Sequence, residues 1–162
     1  CIGIGAVIEV LKSGDIIPKV VGVPTPASEP FRITHCPVCG AVAVVSAEGI
    51  ASCGNIACPA QKARFLEFFC SKDVMDIAGM GPAMVSKLID AQLLNTVQDI
   101  YELPSHASEI AVLDNMGEKS VQSLITAIEA SKSNDIDRLI KGFGIPGVGR
   151  HIGKILAHCY PS

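Results

Sequence analysis

Two stretches decide how the first part of this chain folds: CPVCG at residues 36–40 and CGNIACP at residues 53–59. A Cys-x-x-Cys turn followed by Gly lets two thiolates face one point while backbone N–H groups donate to sulfur. Two such turns close a tetrahedral four-sulfur site, with Zn–S distances near ~2.3 Å. Protein ligands then fill every position, so the predicted Zn²⁺ is structural rather than catalytic. The predicted ligands are Cys36, Cys39, Cys53 and Cys58.

The same cysteines have two other interpretations, a set of buried free thiols or two disulfides. The second turn has four intervening residues instead of two, and His35 is one competing ligand beside the first turn. A module of roughly 30 residues is below the ~40 at which a core alone suffices, so we expect the metal to fold it. Cys1, Cys70 and Cys159 lie outside the pattern, and we expect each to be a small hydrophobe rather than a metal ligand.

A repeat follows the cysteine cluster, at residues 77–81, 113–117 and 145–149. Each copy has an apolar residue, one variable residue, then Gly or Asn, then an apolar residue, then Gly. Apolar residues recur with helical spacing after the second copy, at Val121, Leu124, Ile125 and Ile128. The pattern is that of helix-hairpin-helix units, and it predicts helices from Ala63 onward. A simple packing turn between helices is the alternative for any one copy.

The predicted turns explain how such a unit binds an anion. Glycine permits a sharp turn, and the free N–H groups at the next helix start, aided by the helix dipole, favour a phosphate. We expect a positive φ at Gly81 and Gly149, so that Val there costs about 1 kcal/mol or more. The candidate DNA-binding residues are Gly79, Met80, Gly81, Asn115, Gly117, Lys119, Gly147, Gly149, Arg150 and Lys154.

Residues before the cysteines are β-like. Two β-branched runs, 6–11 and 16–23, flank a Ser-Gly-Asp turn and predict a hairpin. Pro18 places the second run at a sheet edge, and a hairpin alone is marginal in water. Residues 24–30 read as a linker. We therefore expect a mostly α-helical chain with a β-hairpin, a small zinc module and a helix-hairpin-helix array.

Composition limits the function. The net charge is −3 and aromatic residues are 4% of the chain, so the core should be aliphatic and nucleic-acid binding cannot rest on bulk positive charge. No run approaches the roughly 18 apolar residues of a membrane span. Four of the seven cysteines have metal-ligand spacing, which suits a reducing compartment, and we predict a cytoplasmic, monomeric protein. Because it has no initiator Met, we expect a piece of a longer protein.

The order of these motifs resembles the C-terminal part of bacterial NAD-dependent DNA ligase. SGDIIPKV at 13–20 is similar to the last strands of that family's OB-fold, and EPFRITHCPVCG at 29–40 and CPAQ at 58–61 are similar to its four-Cys finger. MGEKS at 116–120 and AIEASK at 127–132 are similar to its helix-hairpin-helix domain. The resemblance implies three domains: residues 1–27, the end of the OB-fold and a linker; 28–62, the zinc finger; and 63–162, three hairpins.

The resemblance also implies an activity for the parent enzyme. Such a ligase adenylates itself from NAD, and with Mg²⁺ it seals nicked double-stranded DNA in replication and repair. The family's Lys-x-Asp-Gly adenylation motif does not occur here, and its fourth hairpin and BRCT domain would lie beyond Ser162. We therefore expect no catalytic residue in this chain and no activity alone. The resemblance implies that this part of the enzyme clamps the duplex, chiefly through contacts with the DNA backbone along the minor groove.

Two other functions remain compatible with the motifs. One is a non-catalytic zinc and helix-hairpin-helix module for DNA repair, which would not need the hairpin before the finger. The other is a structural interaction domain, which predicts no salt-dependent DNA binding.

Overall fold

A computed structural model describes residues 2–14, 16–114 and 116–160. The chain divides into two compact units, Cys1–Asn55 and Ile56–Ser162. The first is built of short strands and the second of helices. The predicted fold class is confirmed: the chain is mostly helical, with a small hairpin and a four-cysteine cluster. No helix among the described residues is both long enough and apolar enough to cross a membrane.

The first unit contains the predicted hairpin. Strand β1 (Val7–Ser13) pairs antiparallel with β2 (Ile17–Thr25), and Ser13 lies opposite Ile17. Asp15 of the expected turn lies outside the described residues. Pro18 is tolerated in β2 because both strands of a two-stranded ribbon are edges. Strand β2 also extends two residues into the stretch predicted to be a linker.

The hairpin buries little of its apolar surface. Side chains on both strands are exposed because the described residues form only a two-stranded ribbon here, with neither face covered by a further layer. Three or more strands, or a covering helix, are needed for a hairpin to be stable on its own. The exposed apolar residues of these strands are Val7, Ile8, Val10, Leu11, Ile17, Val20 and Val21.

A second, shorter ribbon lies between the two pairs of cysteines. Strand β3 (Ala43–Val45) pairs antiparallel with β4 (Ala51–Cys53). The connection closes through Gly49, whose φ of +79° lies in the left-handed region and whose N–H donates to the Ser46 carbonyl. The ribbon connects the two cysteine turns, and its last residue is the predicted ligand Cys53.

The second unit is a series of short helices. Helix α1 begins at Pro59, four residues before the predicted start of helical structure, because proline suits the first helical position. The helices are α1 (Pro59–Cys70), α2 (Pro82–Asp90), α3 (Val97–Glu102), α4 (Ala107–Ala111), α5 (Glu118–Ser131), α6 (Ile136–Gly142) and α7 (Arg150–Cys159), with a 3₁₀ turn at Leu103–His106.

The core of this unit lies among α1 to α5. It is aliphatic as predicted, apart from Phe69, whose ring meets Tyr101 edge-on at a centroid distance of 6.4 Å. Of the helical periodicity predicted in α5, Val121, Leu124 and Ile128 are buried. The buried cluster is Leu66, Phe69, Cys70, Val74, Met75, Ile77, Met80, Val85, Leu88, Leu94, Ile100, Leu103, Ile110, Val121, Leu124 and Ile128.

The pair α6–α7 contributes little to that core. A Cβ on Gly153 would lie 2.9 Å from the Asp137 carbonyl oxygen, so a glycine lets α7 approach the backbone of α6. A Cβ on Gly142 would lie 2.9 Å from the Phe69 ring, so the C-terminal end of α6 lies directly against this core side chain. Several larger apolar residues of this pair and its connection are about half exposed, namely Phe143, Ile145 and Ile155.

This distribution predicts unequal costs for two matched substitutions. Ile128→Ala removes a fully buried side chain and should lower the free energy of unfolding by about 2–5 kcal/mol. Ile155→Ala removes the same atoms from an exposed site in α7 and should cost about 0.5 kcal/mol or less. Urea unfolding followed by circular dichroism measures both. Equal losses would contradict a core centred on α1 to α5.

Candidate metal centre and nucleic-acid interface

The four predicted ligands come together. The sulfur atoms of Cys36, Cys39, Cys53 and Cys58 all lie within 4.8 Å of one another, and Cys39 Sγ is 3.5 Å from Cys53 Sγ. Tetrahedral Zn–S bonds of ~2.3 Å place sulfurs about 3.8 Å apart, so the cluster has the size of a zinc site. A disulfide needs sulfurs about 2.0 Å apart, and none of these four cysteines is disulfide-bonded in the part of the chain that the structure describes.

Backbone geometry builds the first cysteine turn. Gly40 has a φ of +69°, which glycine adopts without strain, and its N–H donates to the Cys36 carbonyl at 2.9 Å. The Cys36 N–H donates to the Ala41 carbonyl at 2.7 Å, which closes the loop. These bonds aim the remaining N–H groups of the turn at the sulfur atoms.

The turn stabilises thiolates. The backbone N–H of Ala41, and next the side chain of Asn55, lower the pKa of Cys39 to about 6. Backbone N–H groups of Cys39 and Val38 lower the pKa of Cys36. Thiolate is the form that binds a metal ion, so the donor set fits Zn²⁺. Sequence reasoning missed Asn55; its position between two ligand cysteines was the available signal.

Cys58 reaches the cluster from the start of α1. It is the N-cap of that helix and 1% exposed, and its carbonyl accepts from the Lys62 N–H at 3.0 Å. No side-chain hydrogen bond caps the helix. The partial positive charge at a helix N-terminus favours an anion, so this position also suits a thiolate.

The remaining candidates do not join the cluster. His35 is exposed, and its Nδ1 lies 3.1 Å from Thr34 Oγ1. Cys70 is a core residue as predicted, and burial raises its pKa to about 12. Cys159 also lies outside the cluster, as expected for a cysteine that is not a ligand, but it is exposed on α7 rather than packed in the core. Cys1 lies outside the described residues.

The three repeat copies share one hydrogen bond. In each, the N–H of the residue before the last glycine donates to the carbonyl three residues earlier. The bonds are Met80 to Ile77 (3.3 Å), Met116 to Leu113 (3.0 Å) and Val148 to Ile145 (2.9 Å). In each, the last glycine is then the N-cap of a helix: Gly81 of α2, Gly117 of α5 and Gly149 of α7. The three copies of the sequence repeat therefore share the same turn hydrogen bond and the same glycine N-cap.

The structure corrects which glycine needs unusual backbone. The positive φ falls on the first glycine, +93° at Gly79 and +80° at Gly147. Gly81 and Gly149 have φ of −77° and −87°, which any residue adopts, so the expected strain of Val at these two positions is wrong. The chain reverses at the first glycine and has already turned by the second. Asn115, the equivalent of the first glycine in the middle copy, lies outside the described residues.

The helix starts after these turns are open. Among the described residues no side chain caps α2, α5 or α7, and a Cβ on Gly81, Gly117 or Gly149 would meet nothing within 4 Å. The first two turns are neighbours across a groove of about 290 Å³, lined by Gly79, Gly81, Pro82, Ala83, Met84, Lys87 and Met116. First-turn N–H groups without a cap can take an anion.

The basic side chains fall into two groups. Lys119, Arg150 and Lys154 are exposed, and their side chains have no hydrogen bond or ion pair with the part of the chain that the structure describes. Lys87, in contrast, is half-buried, and its Nζ donates to the carbonyl of Asp114 at 2.5 Å. The sequence could not separate the groups, because all four basic residues lie within six residues after the last glycine of a turn.

Comparison with known proteins supports the resemblance. A family model described as SAM-like helix-hairpin-helix tandem matches residues 71–130, which contain the first two turns. The DNA ligase of Pelotomaculum thermopropionicum is 44% identical over 99% of this chain and 24% of its own length. Those of Thermoanaerobacter sp. (strain X514), 41% identical, and Hahella chejuensis, 39% identical, match 99% and 98% of the chain. The chain spans about a quarter of the length of these relatives, of which 25% and 24% are covered in the latter two.

The cluster predicts one metal ion whose loss has a local effect. Purified protein should contain about one Zn²⁺ per chain by elemental analysis. Cys58→Ser should abolish that zinc and increase hydrogen exchange across residues 31–62, because metal binding supplies the folding free energy of such modules. Core amides of α2 and α5 should stay protected. Cys159→Ser, outside the cluster, is the control and should retain the metal; zinc-free protein with residues 31–62 still protected would contradict the assignment.

Proposed function

We propose that this chain is the part of an NAD-dependent DNA ligase that holds nicked double-stranded DNA while another domain forms the phosphodiester bond in replication and repair. The similarity to bacterial DNA ligases, which extends along almost the whole chain, supports the ligase part of this proposal. The observation that carries the DNA-binding part is the repeated turn, in which a glycine N-cap leaves a helix start open to solvent.

A phosphate is the ligand that fits these turns. Each helix start offers backbone N–H groups and the positive end of the helix dipole. The glycines bring no side chain between those groups and an incoming anion. Such contacts recognise the sugar-phosphate backbone and carry no sequence information, which suits an enzyme that must act at any nick.

The exposed basic residues extend the same surface. Lys119 follows the second turn, and Arg150 and Lys154 follow the third. Their side chains are available to phosphates, whereas the side chain of Lys87 is used within the protein. Because the net charge is −3, we expect the chain alone to bind duplex weakly and to depend on other domains of the ligase for a tight complex.

The zinc site and the hairpin have supporting roles in this proposal. Zn²⁺ is a structural cofactor, since four thiolates leave it no open position. NAD and Mg²⁺ belong to the adenylation and sealing chemistry of other domains. The hairpin of residues 7–25, whose apolar side chains are exposed, is the end of an OB-fold whose other strands would cover it. We retain the domains 1–27, 28–62 and 63–162, a monomeric state and a cytoplasmic location, which keeps the thiolates reduced.

Duplex binding should be non-specific, salt-dependent and sensitive to the turns. We expect Gly149→Val to weaken binding about tenfold or more, because a branched side chain would obstruct N–H groups that bond a charged phosphate. Lys154→Ala should weaken binding and reduce the salt slope by about 0.9, the value for one phosphate contact. Titrations of fluorescent nicked duplex at two salt concentrations measure both effects.

The variants have internal controls. Lys132→Ala removes an exposed lysine at the C-terminal end of α5 whose one partner among the described residues is Glu129, and it should change the salt slope little. Since Gly149 has no positive φ, Gly149→Val should fold normally by circular dichroism. If folded Gly149→Val binds as tightly as the original chain, the turns are packing elements only, and the structural interaction domain becomes the better function.

A second test addresses catalysis. Incubation with NAD and Mg²⁺ should leave the mass of the chain unchanged, because no lysine of this sequence lies in a Lys-x-Asp-Gly motif. Intact-protein mass spectrometry detects the addition of one AMP. A covalent adenylate would overturn the assignment of the chemistry to other domains.

A further inference from the structure

Four consecutive carbonyl oxygens, those of residues 72–75, all accept hydrogen bonds from side chains of one distant segment, residues 134–141. The bonds run from Asn134 Nδ2 to Met75 (2.7 Å), from Arg138 Nε to Val74, from Arg138 Nη2 to Lys72 (2.8 Å) and from Lys141 Nζ to Asp73 (2.9 Å). We term these bonds the 72–75 contact. It joins α6 to the loop that leads from α1 into the first turn.

The irregular backbone of this loop explains why its carbonyls accept hydrogen bonds from side chains. Between α1 and the turn its backbone is irregular, and Asp76 has a φ of +54°. Carbonyls outside regular structure must find partners when they approach the interior. The donors are half-buried, and the neighbouring Gly142 allows α6 to sit directly on Phe69 and Val74. Hydrogen bonds from charged donors are also stronger than those between neutral groups.

We propose that Asn134, Arg138 and Lys141 are positioning residues that fix the third turn relative to the first, and that they are not phosphate contacts. The third pair of helices, α6 and α7, has few buried apolar residues of its own, so the 72–75 contact adds to the close packing of Gly142 in orienting the pair. Its consequence for DNA rests on the proposed function. A duplex presents phosphates at fixed spacing, and two turns hold it together only when their separation is set in advance.

The chemistry of Arg138 separates positioning from charge. Its planar guanidinium donates from two separate nitrogens, Nε to the Val74 carbonyl and Nη2 to the Lys72 carbonyl, a donor spacing that the one nitrogen of a lysine ammonium does not reproduce. A phosphate contact would be rescued by Arg138→Lys, because the positive charge is kept. A positioning role would be rescued only in part, because at least one of the two bonds is lost.

The test uses hydrogen exchange of the full chain without DNA, and then duplex titration. In Arg138→Met, amides of α7 should exchange roughly tenfold faster or more, as expected for loss of bonds from a charged donor. Amides of α2 should change little, and Arg138→Lys should be intermediate. The matched control, Lys132→Met, removes a nearby charge that takes no part in the 72–75 contact and should leave α7 unchanged.

In duplex titrations, Arg138→Met should weaken binding about fivefold or more without reducing the salt slope by the ~0.9 of a lost phosphate contact. A slope reduced by that amount, with unchanged α7 exchange and full rescue by Lys, would overturn the proposal. If Arg138→Met unfolds the whole unit, Asn134→Ala, which removes one bond to Met75, decides by the same α7 amides.

The two parts of the test fail separately. If the original chain binds no duplex, the proposed function is wrong, and exchange in α7 still decides whether the 72–75 contact positions the third pair. If duplex binds and the turns matter, but α7 exchange is unchanged in every variant, only the positioning role is wrong.

Discussion

The tight turn before each paired helix is the constraint on which the rest of the helical unit depends. Each turn has the same backbone hydrogen bond, donated by Met80, Met116 or Val148 to a carbonyl three residues earlier. A new helix begins two residues after that donor. Short helices with such abrupt connections bury little surface individually. The aliphatic side chains of α1 to α5 therefore pack together in one shared hydrophobic cluster. Open helix starts are left at the surface as a result of the same geometry.

Much of this arrangement follows from local sequence. The spacing of the four cysteines predicted the cluster, and the spacing of Val121, Leu124 and Ile128 predicted the buried face of α5. Both patterns need only nearby residues, because cysteine turns and helices are formed by short-range geometry. The hairpin of residues 7–25 was predictable for the same reason, from two β-branched runs and one turn.

What the sequence could not predict involves either exact dihedral angles or distant partners. A Gly-x-Gly turn does not say which glycine takes the positive φ, and the structure assigns it to Gly79 and Gly147. The sequence treats Lys87 and Lys119 alike, although one is tied to the Asp114 carbonyl and the other is exposed. Arg138 bonds to carbonyls 64 and 66 residues away, and no periodicity records such pairs.

The 72–75 contact also has a consequence for the order in which the chain folds. During synthesis its acceptor carbonyls leave the ribosome between 59 and 68 residues before their donors. Until Asn134, Arg138 and Lys141 emerge, those carbonyls are hydrated, and only the short-range bonds of the loop, such as Val74 N–H to the Ser71 carbonyl, can form. Local contacts form faster than contacts of large sequence separation. The first two hairpins can therefore assemble co-translationally, while docking of the third pair is a late step that dehydrates the loop.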